Sequence, residues 1–443
     1  MALEKDMLER ARNLLRQEIP LINQGRMESF VGSCITRAGT FLDLISENGS
    51  PLYIVDRGGL ARDLARMRTA FSALPGDVEI FYAMKSNNMP EIAGIMAGEG
   101  AGLDVSSGLE LKTAVEAGAR SMIFSGPGKT DDELALTMYH ADRVTLMIDS
   151  FGELERLDRL TRAKGITVRA GVRLTVRPDG LWRKFGIPVA DLARFAAKAD
   201  SCPFVQLEGL QFHTSWNLNP TAHVSFISEL GRALKALPAL LLRDIEFIDL
   251  GGGFWPEQGE WLRAAGTAPG MLRNLLKPEK PDTTSKYRLR STDIETFAAA
   301  IGDELRRSIP SEVECRFFIE PGRWLCHQNM HILLTVVDVK APDIVITDAG
   351  TNAVGWERFE HDYFPVINLS DPDISERRCG VFGSLCTPHD VWGWSYFGGG
   401  IERGDVLLVP LQGAYTYSLR QQFIKPLPKT AIVQGPLDLR WKE

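Results

Sequence analysis

The chain has 443 residues, of which 44% are hydrophobic and 24% charged, the composition of a globular protein long enough for two domains and a large core. A formal net charge of −7 with no dense Lys/Arg run excludes a nucleic-acid footprint. Six scattered cysteines (Cys34, Cys202, Cys315, Cys326, Cys379, Cys386), with no CxxC pair and no histidine cluster at zinc spacing, read as free thiols of a reducing compartment and leave no metal site.

Met1-Ala2-Leu3-Glu4-Lys5-Asp6 is charged from the outset, and no later stretch reaches about 20 apolar residues, so a cytoplasmic protein without membrane contact is expected. Helical spacing of Met7, Ala11, Leu14 and Leu15 predicts a surface helix over residues 1 to about 30, or an arm lying on a partner subunit. Beyond residue 51 short apolar runs alternate with segments of helical periodicity. Eight such runs cover 78–84, 102–105, 122–124, 144–148, 167–174, 207–212, 247–250 and 315–319. Each stops at a polar or glycine-containing group: Lys85, Ser106-Ser107-Gly108, Ser125-Gly126-Pro127-Gly128, Asp149-Ser150, Thr175, His213-Thr214-Ser215, Gly251-Gly252-Gly253 and Glu320-Pro321-Gly322-Arg323.

This pattern predicts an α/β fold, a (β/α)8 TIM barrel with its chemistry at the carboxyl ends of the strands. A doubly wound open sheet gives the same alternation, but reactive groups at all eight strand ends favour closure. The segment 254–290 is too long for a β-α loop and is expected as a surface insertion near the active-site mouth. After Arg323, strand-like runs at 332–339, 343–347 and 406–409 follow one another without helices and predict a carboxyl-terminal antiparallel β domain. The expected domains are therefore a helical arm over 1–50 that contributes to the β domain, a barrel over 51–325, and the β domain over 326–443. Pro51-Leu52-Tyr53-Ile54-Val55, which precedes the barrel, is also a candidate strand of the β sheet.

Lys85 closes the run Phe81-Tyr82-Ala83-Met84 and is followed by Ser86-Asn87-Asn88. A lysine ending a strand ordinarily points its charge to solvent. A desolvated amine, however, loses its proton more easily and becomes a nucleophile towards aldehydes. Around it, Gly251-Gly252-Gly253 offers unobstructed backbone amides for a phosphate, although a tight turn explains three glycines as well. His213 offers a flat ring that could stack on a cofactor, Glu320 a carboxylate for a pyridine nitrogen, and Arg323 a bidentate donor to phosphate or carboxylate. Jointly these are the requirements of pyridoxal 5'-phosphate.

With these residues in hand, the chain resembles the fold type III pyridoxal-phosphate-dependent decarboxylases, the family of diaminopimelate, ornithine, lysine and arginine decarboxylases, with alanine racemase a distant relative. The resemblance runs from about residue 51 to 424. It makes Lys85, in Tyr82-Ala83-Met84-Lys85-Ser86-Asn87, the Schiff-base lysine, and matches Leu103-Asp104-Val105-Ser106-Ser107-Gly108 and Ser125-Gly126-Pro127-Gly128-Lys129 to the second and third strand motifs, with Asp104 at the cofactor. It implies His213 as the stacking ring, Gly251-Gly252-Gly253 as the phosphate loop, Glu320 as pyridinium partner and Arg323 as a contact to phosphate or substrate. In the β domain, Gly383-Ser384-Leu385-Cys386-Thr387-Pro388-His389-Asp390 is similar to the segment carrying the reactive cysteine, and Gly413-Ala414-Tyr415 to the motif whose tyrosine touches the phosphate. The family's cysteine acts in the neighbouring subunit's site, so a homodimer with Cys386 as proton donor is implied. The activity implied is release of carbon dioxide from the α-carboxylate of an amino-acid substrate.

Three departures from the family pattern bear on the substrate. Where relatives continue His-Val-Gly-Ser-Gln, this chain has His213-Thr214-Ser215-Trp216-Asn217, so Trp216 replaces a phosphate-binding serine. The arginine and tyrosine with which diaminopimelate decarboxylases grip substrate fall near Trp356 and Glu360, and the residue after the reactive cysteine is Thr387 instead of an acid. Glu360 or Asp390 is accordingly expected to recognise a distal cation, as in a substrate of ornithine or lysine type. A diaminopimelate-like substrate is kept as an alternative, and a specialised biosynthetic substrate is equally compatible. A racemase of the same fold and a catalytically silent regulatory relative are the alternatives, the second opposed by retention of both Lys85 and Cys386.

Overall fold

The computed structural model describes residues 2–176, 180–237, 242–355 and 360–441, without the side chains of 2–4. It divides into two compact units, one made of residues 60–254 and 292–325, the other of 1–59, 255–291 and 326–443. The boundary expected at 50/51 therefore needs correction to 59/60 and residues 255–291 leave the barrel unit, while the division between 325 and 326 coincides with the expected one. The strand Leu52–Asp56 and the segment 255–291 lie in the second unit, because their apolar faces are buried in its core.

The first unit is a closed parallel barrel. Its strands are β1 (Val78–Ala83), β2 (Gly102–Val105), β3 (Met122–Phe124), β4 (Val144–Ile148), β5 (Val168–Thr175), β6 (Val205–Gln211), β7 (Phe247–Gly252) and β8 (Arg316–Glu320). They pair in sequence order, and β8 returns to β1 with Phe317 opposite Val78, so no edge remains. All eight apolar runs form these strands, and closure excludes the open sheet. The intervening helices start where the sequence supplies caps. Ser107 and Ser150 accept from the backbone N–H of Glu110 and Glu153, and Thr130 and Glu133 form a reciprocal capping box.

The barrel interior is filled by Phe81, Ile123, Met147, Phe247 and Phe318. Phe247 and Phe318 stack with centroids 4.5 Å apart. Room for the Phe247 ring comes from Gly209, where a Cβ would lie 2.1 Å from it. This plug keeps one end of the barrel apolar and leaves the polar chemistry to the carboxyl ends of the strands.

The second unit is a mostly antiparallel sheet. Met330–Ala341 pairs antiparallel with Val406–Val409, Ile344–Thr347 and Leu52–Asp56, and Leu52–Asp56 pairs in parallel with Lys429–Val433. The helix Gln24–Ile35 buries Met27, Phe30, Val31 and Cys34 against this sheet's core. Phe30 meets Trp261 edge-on at 5.6 Å, and Trp261 meets Trp441 at 5.0 Å. Residues 255–291, expected as a surface insertion, thus supply a core tryptophan. The expected amino-terminal surface helix covers only Ala2–Arg16, and its residues Met7, Leu8 and Leu14 are exposed. None of the described helices is long and apolar enough to cross a membrane.

Candidate active site

Chemistry gathers at the carboxyl ends of the barrel strands, beginning where β1 gives way to the single 3-10 turn Met84–Ser86. Ser86 Oγ donates to the Ala83 carbonyl at 2.7 Å and Tyr82 Oη to the Asn87 carbonyl at 2.9 Å, which fixes the turn that carries Lys85. Lys85 Nζ donates to Asp104 Oδ2 at 3.0 Å. Asp104 is fully buried at the end of β2, and its Oδ1 accepts from Ser125 Oγ, just past β3, at 2.7 Å. Three successive strand ends are linked in this way.

A second group comes from β6, β7 and β8. Gln211 Nε2 donates to Glu320 Oε1 at 2.5 Å and to Asp249 Oδ2 at 3.1 Å. The other oxygen of Glu320 lies 3.2 Å from His213 Nδ1, which also lies 3.2 Å from the Gly252 N–H. Asp249 Oδ1 accepts from the Gly251 N–H at 2.9 Å, so the carboxylate group and the glycine loop are one structure. Gly251 and Gly253 have φ of +66° and +83°, and a Cβ at Gly252 would lie 2.0 Å from the Glu320 carbonyl. A side chain at any of the three is therefore strained or excluded. Asn217 N–H donates to the Gly253 carbonyl at 3.1 Å and pins the His213–Asn217 turn to this loop. Within that turn Trp216 is held at φ +58° with its side chain exposed.

Burial sets the charges. Desolvation, together with the nearby Glu320, raises Asp104 to about 6 against the opposing pull of Lys85. Desolvation and Glu320 also push Asp249 well above the usual carboxylate range. Burial acts on Glu320 in the same sense, but the His213 contact and the charge of Lys85 outweigh it and bring it down to about 2. His213 is lowered to about 4 by burial and by Lys85, so its ring is neutral at neutral pH. At neutral pH Lys85 is thus paired with Asp104, which remains mostly ionised, and also lies in the field of the fully ionised Glu320.

The first unit therefore brings Lys85, Asp104, His213, Gly251, Gly252, Gly253 and Glu320 together. Arg323 opens the short helix Arg323–Cys326 immediately after β8. The other sequence-identified residues stand on the second unit. Cys386 is exposed there. Glu360 is exposed and ion-paired with His389 at 3.1 Å, and Tyr415 is half-buried at φ +56°. Trp356 lies outside the described residues.

Asp390 requires correction as a substrate carboxylate. It is 1% exposed, and its oxygens accept from Thr351 N–H at 2.7 Å, Thr351 Oγ1 at 3.1 Å and Leu385 N–H at 2.7 Å. That bonding capacity is spent holding the 383–390 turn. Gln211 and Asp249 were missed. The available signal was Asp249 inside the otherwise apolar buried run 247–250, which demands a buried partner; Gln211 shares its run with Glu208 and gave none.

The donor set fits pyridoxal phosphate. It offers a strand-end amine, a buried anion for a protonated ring nitrogen, a neutral imidazole and a side-chain-free loop. Gln211 Oε1 is buried without a hydrogen-bond partner beside this anion. No group of three or more metal-ligating side chains occurs among the described residues.

Residues 57–327 match the family model of the pyridoxal binding domain of pyridoxal-dependent decarboxylases. The diaminopimelate decarboxylase of Methanothermobacter thermautotrophicus is 25% identical over 419 residues, covering 90% of each chain. The 2-[(L-alanin-3-ylcarbamoyl)methyl]-2-hydroxybutanedioate decarboxylase of Staphylococcus aureus is 25% identical over 393 residues, covering 83% of this chain and 89% of its own. Among solved structures, diaminopimelate decarboxylase from Helicobacter pylori complexed with L-lysine superposes with a TM-score of 0.72 at 20% identity, over 89% of this chain and 94% of that one.

Proposed function

The chain belongs to the pyridoxal-dependent decarboxylases, and on that premise we propose that it removes the α-carboxylate of an amino acid bearing a distal cation, of ornithine or lysine type, with Lys85 holding the cofactor. It is a pyridoxal-phosphate-dependent carboxy-lyase. The observation that carries the residue assignment is the amine of Lys85, 3.0 Å from buried Asp104, on the same barrel rim as the buried anion Glu320. When bound, the cofactor supplies the electron sink that loss of carbon dioxide requires.

The protein's part is binding, orientation and proton placement. Lys85 Nζ would hold the cofactor at its aldehyde carbon, and Asp104 Oδ2, 3.0 Å away, orients the amine. Glu320 would accept a hydrogen bond from the protonated ring nitrogen, His213 would flank the ring, and Gly251-Gly252-Gly253 with Arg323 and Tyr415 would hold the phosphate. Cys386 Sγ returns a proton to the α-carbon after carbon dioxide departs. It does so in the partner subunit's site of a homodimer, and the place of action we infer is the cytoplasm. With Asp390 occupied internally, Glu360 is the carboxylate that reads the distal cation.

Reconstitution with pyridoxal phosphate and a panel of D- and L-amino acids tests this reading. A visible absorption band that disappears in Lys85→Ala, with carbon dioxide released fastest from ornithine or lysine, is expected. A colourless reconstituted protein refutes the cofactor assignment. Preference for diaminopimelate or an uncharged amino acid refutes the substrate assignment, and D product without gas release indicates a racemase.

A further inference from the structure

We propose that Gln211 and Asp249 are positioning residues for Glu320: the Gln211 amide gives one hydrogen to each carboxyl, and Asp249 keeps a proton so that Glu320 alone carries the negative charge. This inference rests on the reading that Glu320 meets a pyridine nitrogen, and extends it to two residues with no previously assigned role. The geometry is specific. One amide nitrogen lies 2.5 Å from Glu320 Oε1 and 3.1 Å from Asp249 Oδ2, and all three side chains are at most 1% exposed. Two carboxylates sharing a donor in a dry interior cannot both ionise unless cations compensate them. Among the described residues, neither has a lysine or arginine within ion-pair distance.

The orientation of the amide follows from the same count. With oxygen and nitrogen exchanged, the Gln211 carbonyl would face both carboxyls, and both would need protons. The unpartnered Gln211 Oε1 is the cost of the orientation observed. The proton then goes to Asp249. Glu320 has the contact to His213 and the field of Lys85, whereas Asp249 meets Glu320, Asp104, the Gln211 amide and the Gly251 N–H. Arg173 is a further cation near His213. Because Asp249 Oδ1 also holds Gly251, one protonated carboxyl fixes the anion at one end of the cofactor and the loop at the other.

The test uses the full chain, apo and reconstituted with pyridoxal 5'-phosphate, in native, Asp249→Asn, Asp249→Ala and Gln211→Leu forms. Asparagine mimics a protonated aspartate, so Asp249→Asn is expected to bind the cofactor within about threefold of native, with an unchanged pH titration of the visible band. Asp249→Ala is expected to lose at least about tenfold in affinity. Gln211→Leu frees the Glu320 carboxylate, and a loss of at least about tenfold with a displaced band titration is expected.

A separate readout needs no cofactor. An acid whose pKa is raised by folding loses the folded state stability as pH rises, so the apo melting temperature of Asp249→Asn relative to native should increase from pH 5 to pH 8. A decrease over that range, or Asp249→Asn behaving like Asp249→Ala, overturns the protonated aspartate. Native affinity and titration in Gln211→Leu overturn its positioning role. Failure of the native protein itself to develop the band overturns the cofactor reading beneath both, a result distinct from any variant's behaviour.

Discussion

Replacing Lys129 with methionine removes a charge that lies entirely inside the barrel wall. Lys129 Nζ donates to the carbonyls of Gly126 and Met147 at 2.7 Å each and to Glu153 Oε1 at 2.8 Å, with both charged side chains at most 2% exposed. Desolvation lowers the pKa of the lysine and raises that of the glutamate, the signature of a pair whose burial works against its mutual attraction. In the single variant Glu153 is left as an unpaired buried carboxylate and two carbonyls lose their donor. Breaking such a pair costs about 3–5 kcal/mol. For a unit of this size about 1 kcal/mol lowers the melting temperature by about 2–4 °C, so a fall of about 10 °C is expected. Lys129→Met/Glu153→Gln removes both charges and should recover at least half of that loss, a coupling of about 2 kcal/mol. Scanning calorimetry is the assay, because two compact units need not unfold in one transition. A Lys129→Met protein melting within about 2 °C of native, or a double variant no more stable than the single, would refute the reasoning.

Three further outcomes follow from packing and burial. Gly209→Ala drives a methyl group into the Phe247 ring and should destabilise by about 1–3 kcal/mol, and adding Phe247→Leu should restore part of it in the same melting assay. Trp216→Gly relieves a left-handed residue with an exposed side chain, so stability should hold or rise by up to about 1 kcal/mol; a larger loss shows that the indole packs in solution. His223 is fully buried among Phe212, Phe254 and Phe297, and burial lowers it to about 3. Below pH 6.5 the unfolded chain takes up a proton that the folded chain refuses, so native stability is lost as pH falls. His223→Phe should gain about 3 kcal/mol on native between pH 7 and pH 4, measured by urea midpoints, and a parallel pH profile in the two proteins contradicts this.

Much of the barrel was legible because a parallel strand is buried on both faces and so reads as an unbroken apolar run, and because each run ended on a group with chemistry. The lysine, the glycine loop and Glu320 could be found for that reason. The unit to which 52–56 and 255–291 belong was not legible, since the apolar character of Leu52 or Trp261 says that a segment is buried but not in which core. Asp390 misled for a related reason: proximity to Cys386 in sequence suggested a substrate contact, whereas three donors from Thr351 and Leu385 converge on it in space. Gln211 carries no motif at all, and its meaning depends on two acids 38 and 109 residues away.

The ring order of the barrel also governs how the chain can be assembled. β1 and β7 become neighbours only through β8, which lies between them with Phe317 opposite both Val78 and Ile248. A ribosome that has delivered residues up to 308 has made seven strands and every helix between them, yet the cylinder still has two raw edges. The five residues Arg316–Glu320 close the seam, and the last of them is the anion itself. Closure of the barrel and arrival of the acid are thus a single event in synthesis, and a nascent or truncated chain that stops short of Glu320 lacks both the closed scaffold and the means to grip the ring nitrogen.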